Sequence, residues 1–396
     1  GLRRGPRGAA HAARRRAWGA AVSASGPPRS SPPPPYGLAG LVERSRVVVC
    51  VGAGGVGKTT VAAALALRAA RAGRRVVCLT IDPARRLADS LGVEGQPRGG
   101  EVRDITALIG DDAAPGGRLA FGMLDPAETF RAFVRDRASS PAQAERILRN
   151  RLYRYLSSSL SGLQEYMALE KLYEIRAARE VDLVVLDTPP TANAFDFFTA
   201  PRRMVEALDG VLVRTMRKAY GGPRRLGLDL VGRWAGGALK AIGRVTGAEL
   251  LEEIVGFVDA LADLFGSFTE RASTVESVLA GEEVAFVLVT TPDRATLREA
   301  RELRQRLAGL GLAVHGVVFN RAHSPRVPPP PPDAPAALAE QLSPHTVEWN
   351  AAALAEERLE EQVRAAWEEV AAVAVTPLLP SGATRLEALE RLGRSL

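Results

Sequence analysis

A short apolar strand that must turn through glycines straight into a helix is the tightest constraint in this chain. The run Val47–Val51 is followed by Gly52, Ala53, Gly54, Gly55, Val56, Gly57, Lys58, Thr59 and Thr60, then by the helix-like stretch Val61–Ala70. This is the strand–GxxxxGK[ST]–helix order of a phosphate-binding loop. Glycines let backbone N–H groups converge on one point, and the helix N-terminus adds partial positive charge there. A lysine placed as Lys58 reaches the β- and γ-phosphates of a nucleotide, and a hydroxyl placed as Thr59 ligates Mg2+. The chain holds four lysines (Lys58, Lys171, Lys218 and Lys240) against 48 arginines. At that composition the pattern arises by chance about 0.004 times per chain, before its flanking strand and helix are counted.

The net charge of +7 invites a nucleic-acid reading. Its location argues against one. Arg3, Arg4, Arg7, Arg14, Arg15, Arg16 and Arg29 lie in residues 1–36, which hold no Asp, Glu or Lys, so residues 37–396 sum to zero. A neutral body offers no net positive field, and nucleic acid is not expected as a partner. Residues 1–36 end in Ser30-Ser31-Pro32-Pro33-Pro34-Pro35 and are expected to form a disordered Arg/Pro-rich tail. A targeting signal is the alternative, because Arg14-Arg15-Arg16 precede the short apolar run Ala17–Ala24. No stretch of 18 uninterrupted apolar residues occurs, so no transmembrane segment is expected. At 46% hydrophobic residues the remainder has ample core. Cys50 and Cys78 form no CxxC pair. They are expected to fill core strands of a protein from a reducing compartment, the cytoplasm.

Further along, strands and helices alternate, which argues for a parallel sheet covered on both faces. The second strand is Arg75–Ile81. Residues 126–178 read as mostly helical, with a break near Ser139-Ser140-Pro141. Val181–Leu186 is a strand. Residues 201–280 form a second helical block in which Ile254, Phe257, Val258, Leu261, Leu264, Phe265 and Phe268 fall at helical spacing. That stripe fits either core packing or a groove for a client protein. Val284–Thr290 is a strand, Arg294–Leu307 a charged helix, and Val314–Phe319 a strand leading to Asn320. Pro328–Pro332 reads as a polyproline-like surface loop. A long helix is expected over about Asn350–Val370, then a last strand and loop over Val373–Leu379.

Three polar points fall just past the ends of these strands: the glycine loop, Asp82 and Asp187. In open α/β sheets ligands bind at that edge. Asp187 is placed to hold Mg2+ directly or through its water, and Asp82 to orient an attacking water. Asp82 before Pro83 also fits a helix-capping or turn residue, and Asp187 before Thr188-Pro189 a turn.

The ordered set GGVGKTT, LTIDPARRLADSLG, VVLDTPPTANAFDFF and VVFNRAH resembles the ArsA family of ATPases over roughly residues 37–396, the single-copy ArsA-like proteins of actinobacteria above all. That family includes arsenite-pump ATPases and the targeting factor for tail-anchored proteins. The resemblance implies a P-loop NTPase fold: a doubly wound, mostly parallel sheet with a helical subdomain, here within 126–178 and 201–280. It implies that Gly52–Thr60 bind the phosphates and that Asp82 is the switch I aspartate. It further implies that Asp187–Thr191 are switch II, that Asn320 reads adenine, and that Pro377 and Leu378 border the base. ATP and Mg2+ are the ligands it implies.

Several family features differ here. Lysine at the second loop position, which acts across a dimer interface, is replaced by Ala53. The cysteines of the arsenite site and the zinc-binding CxxC have no counterparts. The second helical block has only Met204 and Met216, few for a methionine-lined groove. Asn320-Arg321-Ala322-His323 lacks the aspartate that would select guanine. The expected function is a cytoplasmic, Mg2+-dependent ATPase, acting as a homodimer or as a heterodimer with an ArsA-like paralogue. Lys58, Asp82 and Asp187 carry hydrolysis, and the helical subdomain responds to the nucleotide and meets a protein client. The alternative is a hydrolysis-poor, nucleotide-binding regulatory subunit of such a heterodimer. Ala53 is the residue that raises it.

Overall fold

The computed structural model describes residues 37–81, 86–93, 101–111, 113–138, 140–149, 163–177, 180–189, 195–203, 271–323, 326–331, 333, 335–367, 370, 372–379 and 385–396. The labelled helices are α1 (Leu38–Arg44), α2 (Lys58–Arg71), α3 (Arg86–Leu91), α4 (Pro126–Arg137), α5 (Pro141–Arg149), α6 (Leu163–Ala177), α7 (Arg294–Gly309), α8 (Ala336–Ala366) and α9 (Arg385–Ser395). The strands are β1 (Val47–Gly52), β2 (Arg75–Thr80), β3 (Val102–Asp104), β4 (Arg118–Met123), β5 (Leu183–Asp187), β6 (Val284–Thr290), β7 (Val314–Ala322) and β8 (Ala372–Pro377). They form one sheet in the order β3-β4-β2-β5-β1-β6-β7-β8. Every pairing is parallel except that of β3 with β4. The chain is therefore an α/β protein with a doubly wound sheet, as its strand–helix alternation requires.

Alternation along β1 explains the two cores. Val48 and Cys50 face one side, with α2, α3, α9 and α1. Val47, Val49 and Val51 face the other, with α6, α7, Phe197 and Trp367. A strand buried on both faces has to be apolar at every position, and the run Val47-Val48-Val49-Cys50-Val51 is. Against it lies α2, whose buried face is mostly alanine (Ala62, Ala63, Ala64, Ala66, Ala69, Ala70). Alanine favours the helix and lets its axis approach the sheet closely. From β1 the chain passes first to β2 and later to β6, on opposite sides. The strand order reverses beside β1, and in open α/β sheets ligands bind outside the C-terminal strand ends at such a point.

Several expected boundaries move. The helix after the glycine loop begins at Lys58, and β7 continues through Asn320 to Ala322. The long helix α8 begins at Ala336, not near Asn350, and ends at Ala366. Pro344 lies inside it rather than before it. Asn350 is not a cap. Its Oδ1 accepts from Val327 N and its Nδ2 donates to Val327 O, both at 2.8 Å, which pins the start of the proline run to α8. Pro328–Pro331 are non-repetitive and mostly exposed, as a polyproline-like loop should be. Two strands went unforeseen, β3 and β4, as did α1, α3 and α9. The tail, Asp82 and the stripe from Ile254 to Phe268 lie outside the described residues, as do Met204 and Met216. Of the second helical block the description covers 201–203 and 271–280, and α4, α5 and α6 fall within the first.

The N-terminal edge of the sheet is held by arginines. Arg74 donates to the carbonyls of Val42 (2.6 Å), Ser45 (2.9 Å) and Asp182 (2.7 Å). Arg75 forms a bidentate pair with Asp182, whose Oδ2 also accepts from Arg75 N. Those bonds hold the Asp182 carboxyl down at about 2. A depressed carboxylate stabilises the fold above its unfolded value, near 3.8, and loses that contribution as pH falls through about 2. Both side chains are more than a third exposed, so the contribution is about 1 kcal/mol or less. Asp182→Asn should therefore melt below the wild type at pH 7, with the deficit shrinking under pH 4 and gone near pH 2. A deficit constant across that range in thermal melts would show that the ionised pair does not stabilise the fold.

Candidate functional site

At the C-terminal end of β1 the glycines take up conformations that a side chain would resist. Gly55 has φ +78° and Gly57, which caps α2, has φ +92°. Gly54 and Gly55 are exposed at the tip of the loop, whereas Gly52, Ala53 and Val56 are buried. Lys58 is 7% exposed. Its Nζ donates to Ala53 O at 2.8 Å and to Gly52 O at 3.1 Å, so the ammonium lies under its own loop. A buried cation needs such partners, and here the loop supplies them.

A second element enters from β5. Asp187 is its last residue and is 2% exposed. Asp187 Oδ2 accepts from Thr59 Oγ1 at 2.7 Å and from Thr80 Oγ1 at 3.2 Å. Three neighbouring segments thus meet at one carboxylate: the start of α2, the end of β2 and the end of β5. Thr188, also buried, donates its hydroxyl to Cys50 O at 2.7 Å. A hydroxyl that donates to a carboxylate keeps two lone pairs for another ligand. Thr59 and Asp187 together are hard oxygen donors of the kind Mg2+ prefers.

The third element comes from β7 and β8. Asn320 Nδ2 donates to Val56 O at 2.7 Å, and Asn320 Oδ1 accepts from Thr376 Oγ1 at 2.8 Å. Leu378 N donates to Ala322 O, so Pro377 and Leu378 continue β8 beside the end of β7. Thr60 follows Thr59 on the first turn of α2.

The residues singled out from sequence therefore converge where they are described. Gly52–Thr60, Asp187, Asn320, Pro377 and Leu378 all lie at the C-terminal edge of the sheet. Asp82, Pro190 and Thr191 lie outside the described residues. Sequence reading missed Thr80 and Thr376. Each is a buried threonine at the end of an apolar strand, and that placement was the available signal. Cys50 and Cys78 are fully buried in β1 and β2. Burial pushes both thiols up, with further help from Asp187, so neither is a ready thiolate ligand.

Comparison with known proteins agrees with this fold. A sequence profile of the anion-transporting ATPase family, ArsA_ATPase, matches residues 45–329. The protein Rv2184c of Mycobacterium tuberculosis is 31% identical over 294 residues, covering 71% of this chain and 60% of that protein. The protein SCO2128 of Streptomyces coelicolor is 31% identical over 277 residues, covering 70% and 62% respectively. The chain thus aligns with about three fifths of the length of these two relatives. ATPase GET3 of Chaetomium globosum is 24% identical over 288 residues, covering 72% of this chain and 76% of that protein.

The glycine geometry makes a graded prediction. A Cβ on Gly57 would stand 2.2 Å from Asn320 Nδ2, whereas one on Gly55 would meet nothing within 4 Å. Gly55→Ala should cost only the left-handed backbone penalty, about 1–2 kcal/mol. Gly57→Ala should cost about 1–3 kcal/mol more, because the amide it displaces is buried and doubly bonded. Denaturant midpoints of the two variants measure the difference. Equal losses would mean that Asn320 is free to move aside.

Proposed function

Because the chain belongs to the ArsA family of anion-transporting ATPases, we propose that it is a Mg2+-dependent ATPase, with the site at the end of β1 as its catalytic centre. The observation that supports this best is the Thr59–Asp187 hydrogen bond, set beside a buried lysine at the sheet's switch point. The loop N–H groups and Lys58 position the β- and γ-phosphates. On binding, Lys58 Nζ exchanges its loop carbonyls for phosphate oxygens. Thr59 Oγ1 and Asp187 would hold Mg2+, which neutralises charge on the phosphates when bound. Asp82 orients the attacking water. Thr188, tied to Cys50 O, places the segment after β5 where the γ-phosphate can be sensed and relayed to the helical subdomain.

A second reading is favoured by Ala53, which is 5% exposed and packs in the α2-side core. With no lysine there, the working unit is a heterodimer in which an ArsA-like paralogue supplies the missing charge. This chain would then be its slower, regulatory member. Turnover of the chain alone and with such a paralogue separates the readings. Neither reading needs nucleic acid, since residues 37–396 carry no net charge. We place the protein in the cytoplasm, where ATP and free thiols are both at home. Among the described residues no helix is long and apolar enough to cross a membrane. A protein client at the helical subdomain is part of the proposal.

Two variants test the site. Lys58→Ala removes the charge facing the phosphates and should weaken ATP binding by about 1.5–3 kcal/mol, some tenfold or more, with the far-UV spectrum preserved. Unchanged affinity in calorimetry would remove the glycine loop from the nucleotide site. Asp82→Asn should leave ATP binding near normal and slow turnover at least about tenfold, a barrier change of about 1.4 kcal/mol. Unaffected turnover would reduce Asp82 to a turn residue.

A further inference from the structure

Asn320 occupies a place that its assumed contact with the base does not explain. It is 4% exposed, inside β7 rather than beyond it, and its amide is engaged at both ends. Val56 O can only accept, so the atom facing it at 2.7 Å has to be the donor Nδ2. That assignment leaves Oδ1 for Thr376 Oγ1, which is fully buried and donates to it at 2.8 Å. Thr376 thereby locks the amide in the orientation that Val56 needs.

The consequence for the loop is geometric. In a trans peptide the N–H points opposite to the preceding C=O. Pulling Val56 O inward toward β7 turns Gly57 N–H outward. Lys58 does the same to the other limb of the loop, since its bonds to Gly52 O and Ala53 O turn the N–H groups of Ala53 and Gly54 the other way. Two buried side chains thus draw three loop carbonyls toward themselves and turn the N–H groups of Ala53, Gly54 and Gly57 away from them. Lys58 can leave its carbonyls for a ligand, whereas Asn320 has no such alternative. The missing Cβ at Gly57 is what lets Asn320 approach so closely.

We propose that Asn320 is a positioning residue for the phosphate end of the nucleotide, holding the loop N–H groups in their binding orientation through Val56, with Thr376 as its support. The inference rests on the reading of the β1 end as a nucleotide site. It differs from base recognition in one respect: it makes the effect of Asn320 independent of the base.

Calorimetric affinities for Mg-ATP and for Mg-tripolyphosphate, which has no base, test it on the full chain. For Asn320→Ala both affinities should fall by about tenfold, as befits a buried carbonyl left without its donor. The two losses should agree within a factor of about three. Thr376→Val keeps the volume and removes the supporting hydroxyl, and should weaken both ligands in parallel by a smaller factor. If Asn320→Ala does not fold, as judged by circular dichroism, Thr376→Val decides alone by the same parallel loss. Loss confined to ATP would overturn the proposal and return Asn320 to the base, and no loss with either ligand would overturn it too. A wild-type chain that binds neither ligand would instead refute the nucleotide site itself.

Discussion

A carboxylate at 2% exposure in the middle of a sheet has to be hydrogen-bonded, and much of the site follows from that requirement. Asp187 is met by Thr59 from the helix after the loop and by Thr80 from the end of β2. Those two contacts tie three consecutive sheet connections to one atom. They also join the site's parts, since the end of β5 is hydrogen-bonded to the first turn of α2. Thr188 adds a third tie, to the carbonyl of Cys50 on β1. A group that binds where Asp187 and Thr59 meet therefore acts on β1, β2, β5 and α2 together.

The charge pattern of the body has a similarly local explanation. Arg74 spans α1, the entry to β1 and the entry to β5 through three carbonyls. Arg71 reaches Glu390 and the carbonyl of Ile109, while Arg68 reaches the carbonyl of Gly393. A planar guanidinium satisfies several acceptors at once, which a lysine ammonium does less well at fixed geometry. Arg68, Arg71 and Arg74 serve this fold as internal bracing. The single lysine of the glycine loop stands apart because it makes a compact charge on a flexible stem, suited to changing partners.

Legibility in the sequence followed physical range. β1, the loop and α2 were readable because glycine conformation, apolar continuity and helix pattern all act within a few residues. β6 matched from Val284 to Thr290 for the same reason. β4 was not read, because Arg118–Met123 carries no clean alternation and owes its state to pairing with β2. β3 is exposed at all three positions and exists through β4. The start of α8 was expected near Asn350, some fourteen residues late, and its first turns, with Pro344 among them, are mostly exposed and carry no apolar stripe to mark them. At the site, Lys58, Thr59 and Asp187 were legible from their own segments. The pairings of Asn320 with Val56 and of Thr376 with Asn320 were not. They join positions far apart in the chain, and nothing local encodes them.

The place of β1 in the sheet bears on how the chain is made. Val47 pairs with Val184 on one side and with Val284 on the other. Those partners are synthesised long after β1 has left the ribosome. Until then a run of five apolar residues has neither edge satisfied, and such a strand readily joins another chain. The cover of α2 comes later still, since Leu389 and Leu392 of α9 pack there only after β8 exists. The segment that forms the glycine loop thus precedes β5, β6, β8 and α9, the elements that complete its surroundings. Chain elongation itself then becomes a hazard for this fold, greatest between the emergence of β1 and that of β6.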